Sequence, residues 1–382
     1  MLSKQGVFSM KFSITRADLL RSLNHVQSVV ERRNTIPILS NVMISANEDI
    51  LSLTTTDMDL EVVESVPAKV EEPGSTTVPA HTLYDIVRKL SDDAVITFSL
   101  PPGENAMTVT SGNSKFRLGC LPVDDFPKVN AADEMPYNFK IPAADLRTLI
   151  DRTRFAISNE ETRHYLNGIY LHNADSDGRK VLRAVATDGH RLARFEMDLP
   201  PEAEGMPGVI IPRKTVSEIR KLAEEAADAI QIGLSDTKMK VSFDHIVLTS
   251  KLIDGTFPDY QRVIPQGNDR VLEVNPVLLS RAVDRVSTVS TEKTRAIKLT
   301  LNGRNLILSA NSPDSGSATE EIAVNFDSDP LEIGFNSAYL MDVARQMDGE
   351  GCKIYLADSA SPTIIQDAND SSALYVLMPM RV

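Results

Sequence analysis

The chain is 382 residues long, enough for two or three domains, with 42% apolar residues to fill cores and no tryptophan. Its formal net charge of −13 argues against a protein that grips nucleic acid by bulk electrostatics, and no apolar run approaches the length of a membrane-crossing helix. The two cysteines, Cys120 and Cys352, form no metal or disulfide pattern, which fits a reducing cytoplasm, and MLSKQGVFSM has no signal-peptide core.

In chain order, the first element is "KFSITRADLLRSLNHV" from Lys11, a short alternating strand running into an amphipathic helix. Thr15 opens that helix with Asp18 three residues on, a capping-box-like start. The β-like run "DILSLTTTDMDLEVVESV" follows, then a second helix in "VPAHTLYDIVRKL" from Val78, and "KFRLGCLPVDDFP" closes the stretch. "DDFPKVNAADEMPY" reads as a linker.

The same order then recurs. "NFKIPAADLRTLIDRT" from Asn138 and "VLEVNPVLLSRAVDRV" from Val271 repeat the first element at steps of 127 and 133 residues. Phe12, Phe139 and Leu272 match, as do Ile14, Ile141 and Val274, then Leu19, Leu146 and Leu279, then Leu23, Ile150 and Val283. Pro142 and Pro276 are expected to open the later two helices, where a missing N–H is harmless. "IPRKTVSEIRKLA" from Ile211 and "FNSAYLMDVARQM" from Phe335 repeat the second helix, aligning Leu83, Val216 and Leu340, and Ile86, Ile219 and Val343. "HIVLTSKLIDGTFP" and "ALYVLMPMRV" close the later copies, with "GTFPDYQRVIPQGNDR" as the second linker. The pattern predicts an α+β chain of three like domains over 10–129, 137–260 and 270–382, each with two helices on one face of antiparallel sheet.

The expected helices, 16–30, 80–90, 143–157, 212–223, 276–290 and 336–348, hold 14 Lys and Arg against 8 Asp and Glu. They carry +6 in a chain of −13, which leaves −19 elsewhere. In the fifth helix Arg281 and Arg285 lie off the Leu279–Ala282–Val283–Val286 stripe, and the aligned positions are Arg21 and His25 in the first and Thr148 and Arg152 in the third. Arg213, Lys214, Arg220 and Lys221 avoid the stripe of the fourth. Recurrence against an acidic remainder points to helices gathered on a basic surface rather than to scattered solvated charges.

"ATDGHRLAR", Ala186–Arg194, concentrates an Asp, a His and two Arg in nine residues and invites an enzymatic reading through Asp188 and His190. No nucleophile-elbow or phosphate-loop motif accompanies it. "TTTDMDL" of copy one aligns with "VATDGHRL" of copy two, which sets Asp57 opposite Asp188 without a neighbouring His. A shared Asp of that kind reads as a turn residue holding backbone N–H groups. The histidines have no metal-ligand spacing. A plain scaffold is the other alternative to an enzyme.

"RHYLNGIYL", "VATDGHRLA", "SKLIDGTFPDY" and "YVLMPMR" closely resemble the bacterial DNA polymerase III beta subunit family, the DNA sliding clamps, from about Met10 to Val382. Residues 1–9 have no counterpart in the usual start. The resemblance implies a head-to-tail homodimer closing into a ring of six domains, helices lining the hole. It implies no enzyme activity and no cofactor or metal. Its partners would be double-stranded DNA held without sequence preference, the DNA polymerase III alpha subunit, the clamp loader delta subunit, and other polymerases and repair proteins. It implies a cytoplasmic, nucleoid-associated protein with no membrane contact. By motif match a peptide-binding pocket would use Leu166, Thr187, Gly189, His190, Arg191, Leu192, Pro258, Arg262, Val263, Asn336, Tyr339, Val376, Met378, Pro379, Met380 and Arg381. Methionines would make an adaptable apolar floor, with Arg191 and Arg381 meeting polar or acidic groups at the rim. Ala360 and Pro362 stand where many members carry Val and Ser. The DNA-facing set would be Arg21, Arg33, Arg152, His164, Tyr165, Arg213, Lys214, Arg281 and Arg285, and the dimer interface Phe116 and Leu118 against Thr288 and Val289.

Overall fold

The computed structural model describes residues 9–127, 134–290 and 295–382, so residues 1–8 and the middle of the first linker lie outside the described residues. Copy one runs β1 (Met10–Thr15), α1 (Arg16–Val26), β2 (Asn41–Asn47), β3 (Ile50–Thr56), β4 (Leu60–Pro67), β5 (Lys69–Glu72), β6 (Gly74–Pro79), α2 (Ala80–Lys89), β7 (Val95–Leu100), β8 (Ala106–Ser111) and β9 (Ser114–Gly119). Copy two runs β10 (Tyr137–Pro142), α3 (Ala143–Asp151), β11 (Gly168–Ser176), β12 (Arg179–Thr187), β13 (Arg191–Asp198), β14 (Val209–Pro212), α4 (Arg213–Ala223), β15 (Ala229–Leu234), β16 (Lys238–Phe243) and β17 (Ile246–Lys251). Copy three runs β18 (Arg270–Val274), α5 (Pro276–Ser287), β19 (Ala296–Asn302), β20 (Asn305–Ser312), β21 (Gly316–Ala323), β22 (Asn325–Phe326), β23 (Leu331–Asn336), α6 (Ser337–Ala344), β24 (Cys352–Leu356), β25 (Thr363–Asp367) and β26 (Ala373–Leu377). The α+β class holds, with strand pairing antiparallel throughout the described residues.

Two compact units emerge, and the second copy is divided between them. The first, through Ala144 with Ser217–Leu252, holds a sheet ordered β5-β1-β7-β8-β9 and another ordered β10-β15-β16-β17-β4-β3-β2-β6. The second, Asp145–Val216 with Ile253–Val382, holds β14-β11-β12-β13-β26-β25-β24-β18-β22 and β21-β20-β19-β23.

The repeat is the core. The matched positions of the strand–helix element are all buried, and Phe12 stacks on Phe98 with ring centroids 4.6 Å apart. In α2 the buried residue is Val87 and Ile86 is half-exposed, a shift of one position from the alignment. Thr15 caps α1 as expected, its hydroxyl accepting from Asp18 N at 3.2 Å. Pro276 is the first residue of α5, behind an Asn275 cap that accepts from Val277 N and Leu278 N at 3.0 Å. Pro142 departs from expectation: it ends β10 opposite Ala229, and α3 begins one residue later at Ala143. The helices are also shorter than the periodic pattern, because α1 tightens into a 3-10 turn at Gln27 and α3 stops at Asp151. Over the observed ranges they hold 11 basic and 7 acidic residues, a balance of +4 rather than +6.

Candidate functional site

Ala186–Arg194 is the end of β12, a three-residue turn and the start of β13. Thr187 Oγ1 donates to Arg191 O at 2.7 Å and accepts from Gly189 N at 3.1 Å. Asp188 Oδ1 accepts from His190 N at 2.9 Å and Arg191 N at 3.0 Å. Copy one builds the same turn. Thr56 Oγ1 donates to Leu60 O at 2.9 Å and accepts from Met58 N at 3.0 Å, while Asp57 Oδ1 accepts from Asp59 N at 3.0 Å and Leu60 N at 2.7 Å. Gly189 has φ +88° and Met58, its counterpart, has φ +80°. The Asp shared by the two copies is therefore a turn residue, and its second oxygen takes Arg191 Nε at 3.1 Å. The carboxylate is committed to the turn and the guanidinium, not to the His190 ring.

Arg191 is the hub of this region. Its Nη1 reaches Asp342 Oδ2 on α6 and its Nη2 reaches Phe155 O, both at 2.6 Å. The guanidinium lies 4.3 Å from the Tyr339 ring centroid and 5.3 Å from that of Phe155. With 11% of its side chain exposed, Arg191 is an internal strut, which corrects the expectation of a rim charge open to partners. Three fixed partners hold it there, and Arg381 keeps the exposed position. Burial, followed by the nearby Asp188 carboxylate, pushes the Tyr339 phenol up. The exposed His190 ring stacks on Tyr339 at 6.3 Å, and Asn336 caps α6 by accepting from Ala338 N at 3.0 Å and Tyr339 N at 3.4 Å.

Two segments far apart in sequence meet here. β13 pairs with β26 from Arg191↔Leu377 to Phe195↔Ala373, and Met378 N donates to His190 O at 2.9 Å. Leu166, Leu192 and Val376 share one buried cluster with Val185, Ile210, Phe257, Tyr260 and Leu374. Of the other residues expected at the pocket, Gly189, His190, Pro258, Arg262, Val263, Met378 and Arg381 are exposed, while Thr187, Asn336, Tyr339, Pro379 and Met380 are half-buried. Arg262 pairs with Asp259 at 2.8 Å. Ala360 is exposed and Pro362 half-buried in a turn that Asp358 organises by accepting from Ala360 N and Ser361 N.

Motif matching missed the support beneath the "FPDYQRV" segment. Buried Arg183 donates to Glu196 Oε2 at 2.9 Å and to the Tyr260 hydroxyl at 3.1 Å, and His172 Nε2 lies 3.0 Å from the same hydroxyl. Burial pushes the His172 imidazole down, helped by the Arg183 charge. Burial opposes the charge on Glu196, yet Ser176, Arg194 and Arg183 together hold its carboxyl below the usual range. A signal existed: an arginine within the unbroken apolar run of β12, a strand buried on both faces, demands a partner.

Of the expected DNA-facing residues, Arg21, Arg33, Arg213, Arg281 and His164 are exposed, and Tyr165 and Lys214 are half-buried. Arg285 is exposed but donates to Glu320 Oε2 at 2.9 Å, and Arg152 is largely covered and pairs with Asp348. His25, at the position aligned with Arg285, is buried between Glu64 and Glu225 and does not join a basic surface. At the expected interface Phe116 is half-buried, Leu118 is buried, Thr288 is exposed and Val289 is half-buried. Among the described residues, no helix is long and apolar enough to cross a membrane and no cluster of His, Cys, Asp and Glu could hold a metal ion.

Repeated α+β domains, with a hydrogen-bonded turn where a reaction centre was conceivable, define a binding protein rather than a catalyst. Models of the DNA polymerase III beta subunit match its N-terminal domain at residues 10–130, its central domain at 140–259 and its C-terminal domain at 261–381. The beta sliding clamp of Caulobacter vibrioides strain NA1000 is 48% identical over 373 residues, 98% of this chain and all of the relative. That of Escherichia coli K12 is 38% identical over 376 residues, again 98% of this chain and all of the relative. A crystal structure of the sliding clamp of Bartonella birtlesii bound to griselimycin superposes with a TM-score of 0.95 at 51% identity, covering 98% of this chain and all of that one. The chain belongs to the bacterial DNA polymerase III beta subunit family, the beta sliding clamps. Its function is that of a DNA sliding clamp, a non-enzymatic processivity factor of replication that works on DNA with polymerase partners.

Proposed function

We propose that two copies of the chain close head to tail around duplex DNA, each contributing three domains over 10–129, 137–260 and 270–382. Strand pairing carries this reading. β17, which closes copy two, pairs with β4 of copy one, and β26, which closes copy three, pairs with β13 of copy two. The remaining member of the series would be β9 of copy one with β21 of copy three, and each is the outer strand of its own sheet among the described residues. A second copy supplies both missing partners and removes two open edges. Phe116 on β9 and Thr288 and Val289 after α5 then fall at the joint.

A closed ring retains DNA by topology, so its inner charge can be modest. Tight phosphate contacts would brake sliding and make retention steeply salt-dependent, whereas loose contacts to phosphates carry no sequence information. The inner set is Arg21, Arg33, Arg213, Lys214, Arg281, His164 and Tyr165, with Arg152 and Arg285 restrained by their acidic partners. The pocket beside β13, β26 and α6 docks short peptide segments of the polymerase III alpha subunit, the clamp loader delta subunit, and other polymerases and repair proteins. The Bartonella birtlesii clamp binds griselimycin, and we propose that this chain takes the same compound in this pocket. The protein works in the cytoplasm at the nucleoid. The test is to load the protein on nicked circular DNA and then linearise it. Retention on circles with loss from linear ends is expected, and equal retention on both would end the ring reading.

A further inference from the structure

We infer that Gly334 is a positioning residue for the partner pocket: its bare Cα lets the C-terminal tail cross from one sheet to another and hold Met378 in place. This rests on the pocket reading above. β26 ends at Leu377 in the nine-stranded sheet, and Met378 N donates to His190 O at 2.9 Å. Two residues later Met380 N donates to Gly334 O at 2.8 Å, and Gly334 lies on β23, an edge strand of the four-stranded sheet. Pro379, with no N–H to donate, spans the gap. The exposed Met378 is thus suspended between two backbone bonds anchored in different sheets.

The second anchor has no room for a side chain. A Cβ at Gly334 would lie 2.6 Å from Met380 O and 2.4 and 2.7 Å from the two Val382 methyls. One of those contacts is backbone, so it cannot be relieved by a rotamer change. Gly334 is not among the positive-φ glycines, so its conformation suits any residue and only the close approach calls for glycine. A glycine inside a strand weakens it, which marks such an approach as the reason for its presence. β23 also ends at Asn336, the cap of α6, and α6 carries Tyr339 under His190. Tail and aromatic wall are set from the same strand.

The experiment is a double-mutant cycle read by griselimycin binding in isothermal titration, with dimer mass from light scattering and melting temperature as controls. Deleting residues 378–382 should weaken binding at least about tenfold, and Gly334→Ala should weaken it by a similar factor. The two together should bind no more weakly than the deletion alone, since Gly334 acts only through the tail. A merely structural role would make the losses add. Met380→Pro, which removes the docking N–H without touching β23, should reproduce the loss if Gly334→Ala folds poorly. Unchanged binding in the deletion would sink the pocket reading itself. A weakened deletion with wild-type binding in Gly334→Ala or Met380→Pro, or additive losses, would overturn the positioning role alone.

Discussion

The Arg191 guanidinium is held by the Asp188 and Asp342 carboxylates and by the Phe155 carbonyl. "VATDGHRLA" placed it at the pocket, but its partners, Phe155 and Asp342, lie 36 and 151 residues away and are invisible to a local pattern. Removing one partner of a largely buried guanidinium leaves charge unpaired, so Asp342→Ala should lower unfolding stability by about 1–3 kcal/mol and weaken pocket ligands. Urea denaturation and titration calorimetry measure both, and an unchanged pair of values would return Arg191 to the rim. His25 aligns with Arg285 in the repeat, yet its Nδ1 lies 2.7 Å from Glu64 Oε2 and its Nε2 2.9 Å from Glu225 Oε1. Burial disfavours its charge, but the hydrogen bonds to Glu64 and Glu225 outweigh burial and hold its pKa above the ordinary imidazole value. A raised pKa means the contribution is full below the unfolded pKa of about 6.5 and is lost as pH rises through the folded value. The melting-temperature gap between wild type and His25→Gln should therefore shrink from about pH 5.5 to about pH 8.5. A gap independent of pH would show that the imidazole stays neutral. Burial also pushes the Cys352 thiol up to about 12, so the native protein should react with a thiol reagent at the half-buried Cys120 and the unfolded protein at both.

The elements were legible where two periods agreed. Strand alternation handing over to a helical stripe gave the strand–helix unit three times, and its matched apolar positions are core in every copy. Ends were less legible, because a helix stops where its backbone finds other partners. Pro142 could open a helix or end a strand, and the pairing of β10 with β15, formed about 90 residues apart, decides for the strand. The strand edges behind the proposed joint separate two residues that sequence placed together. Leu118 is 7% exposed, so Leu118→Ala should destabilise the chain itself by about 2–5 kcal/mol. Phe116 on the same β9 is half-buried, so Phe116→Ala should spare the fold and shift the monomer–dimer balance toward monomer. Sedimentation over a dilution series, beside thermal melts, distinguishes the two. Dimerisation unaffected by Phe116→Ala would move the joint away from β9.

At the scale of the whole molecule the proposed ring reconciles the acidic charge with a function on DNA. A protein that held DNA through six to ten phosphate contacts would lose roughly 10³–10⁵ in affinity between about 50 and 200 mM salt. A chain at −13 whose helices sum to +4 has too little positive charge to work that way, and two of its candidate cations, Arg152 and Arg285, are already engaged by Asp348 and Glu320. Single Ala substitutions at Arg21, Arg33 or Arg281 should therefore leave retention on closed circles nearly unchanged, at low and at raised salt. Loading should suffer instead, because an open ring has only electrostatic steering to draw DNA in. Asp348→Asn and Glu320→Gln should act in the opposite direction, releasing Arg152 and Arg285 and raising loading efficiency. Loading and retention are read separately with fluorescent protein on nicked circles, before and after a salt wash. If one arginine substitution stripped already loaded protein from circles, charge would be acting as a grip, and the reason the chain can be so acidic would have to be sought elsewhere.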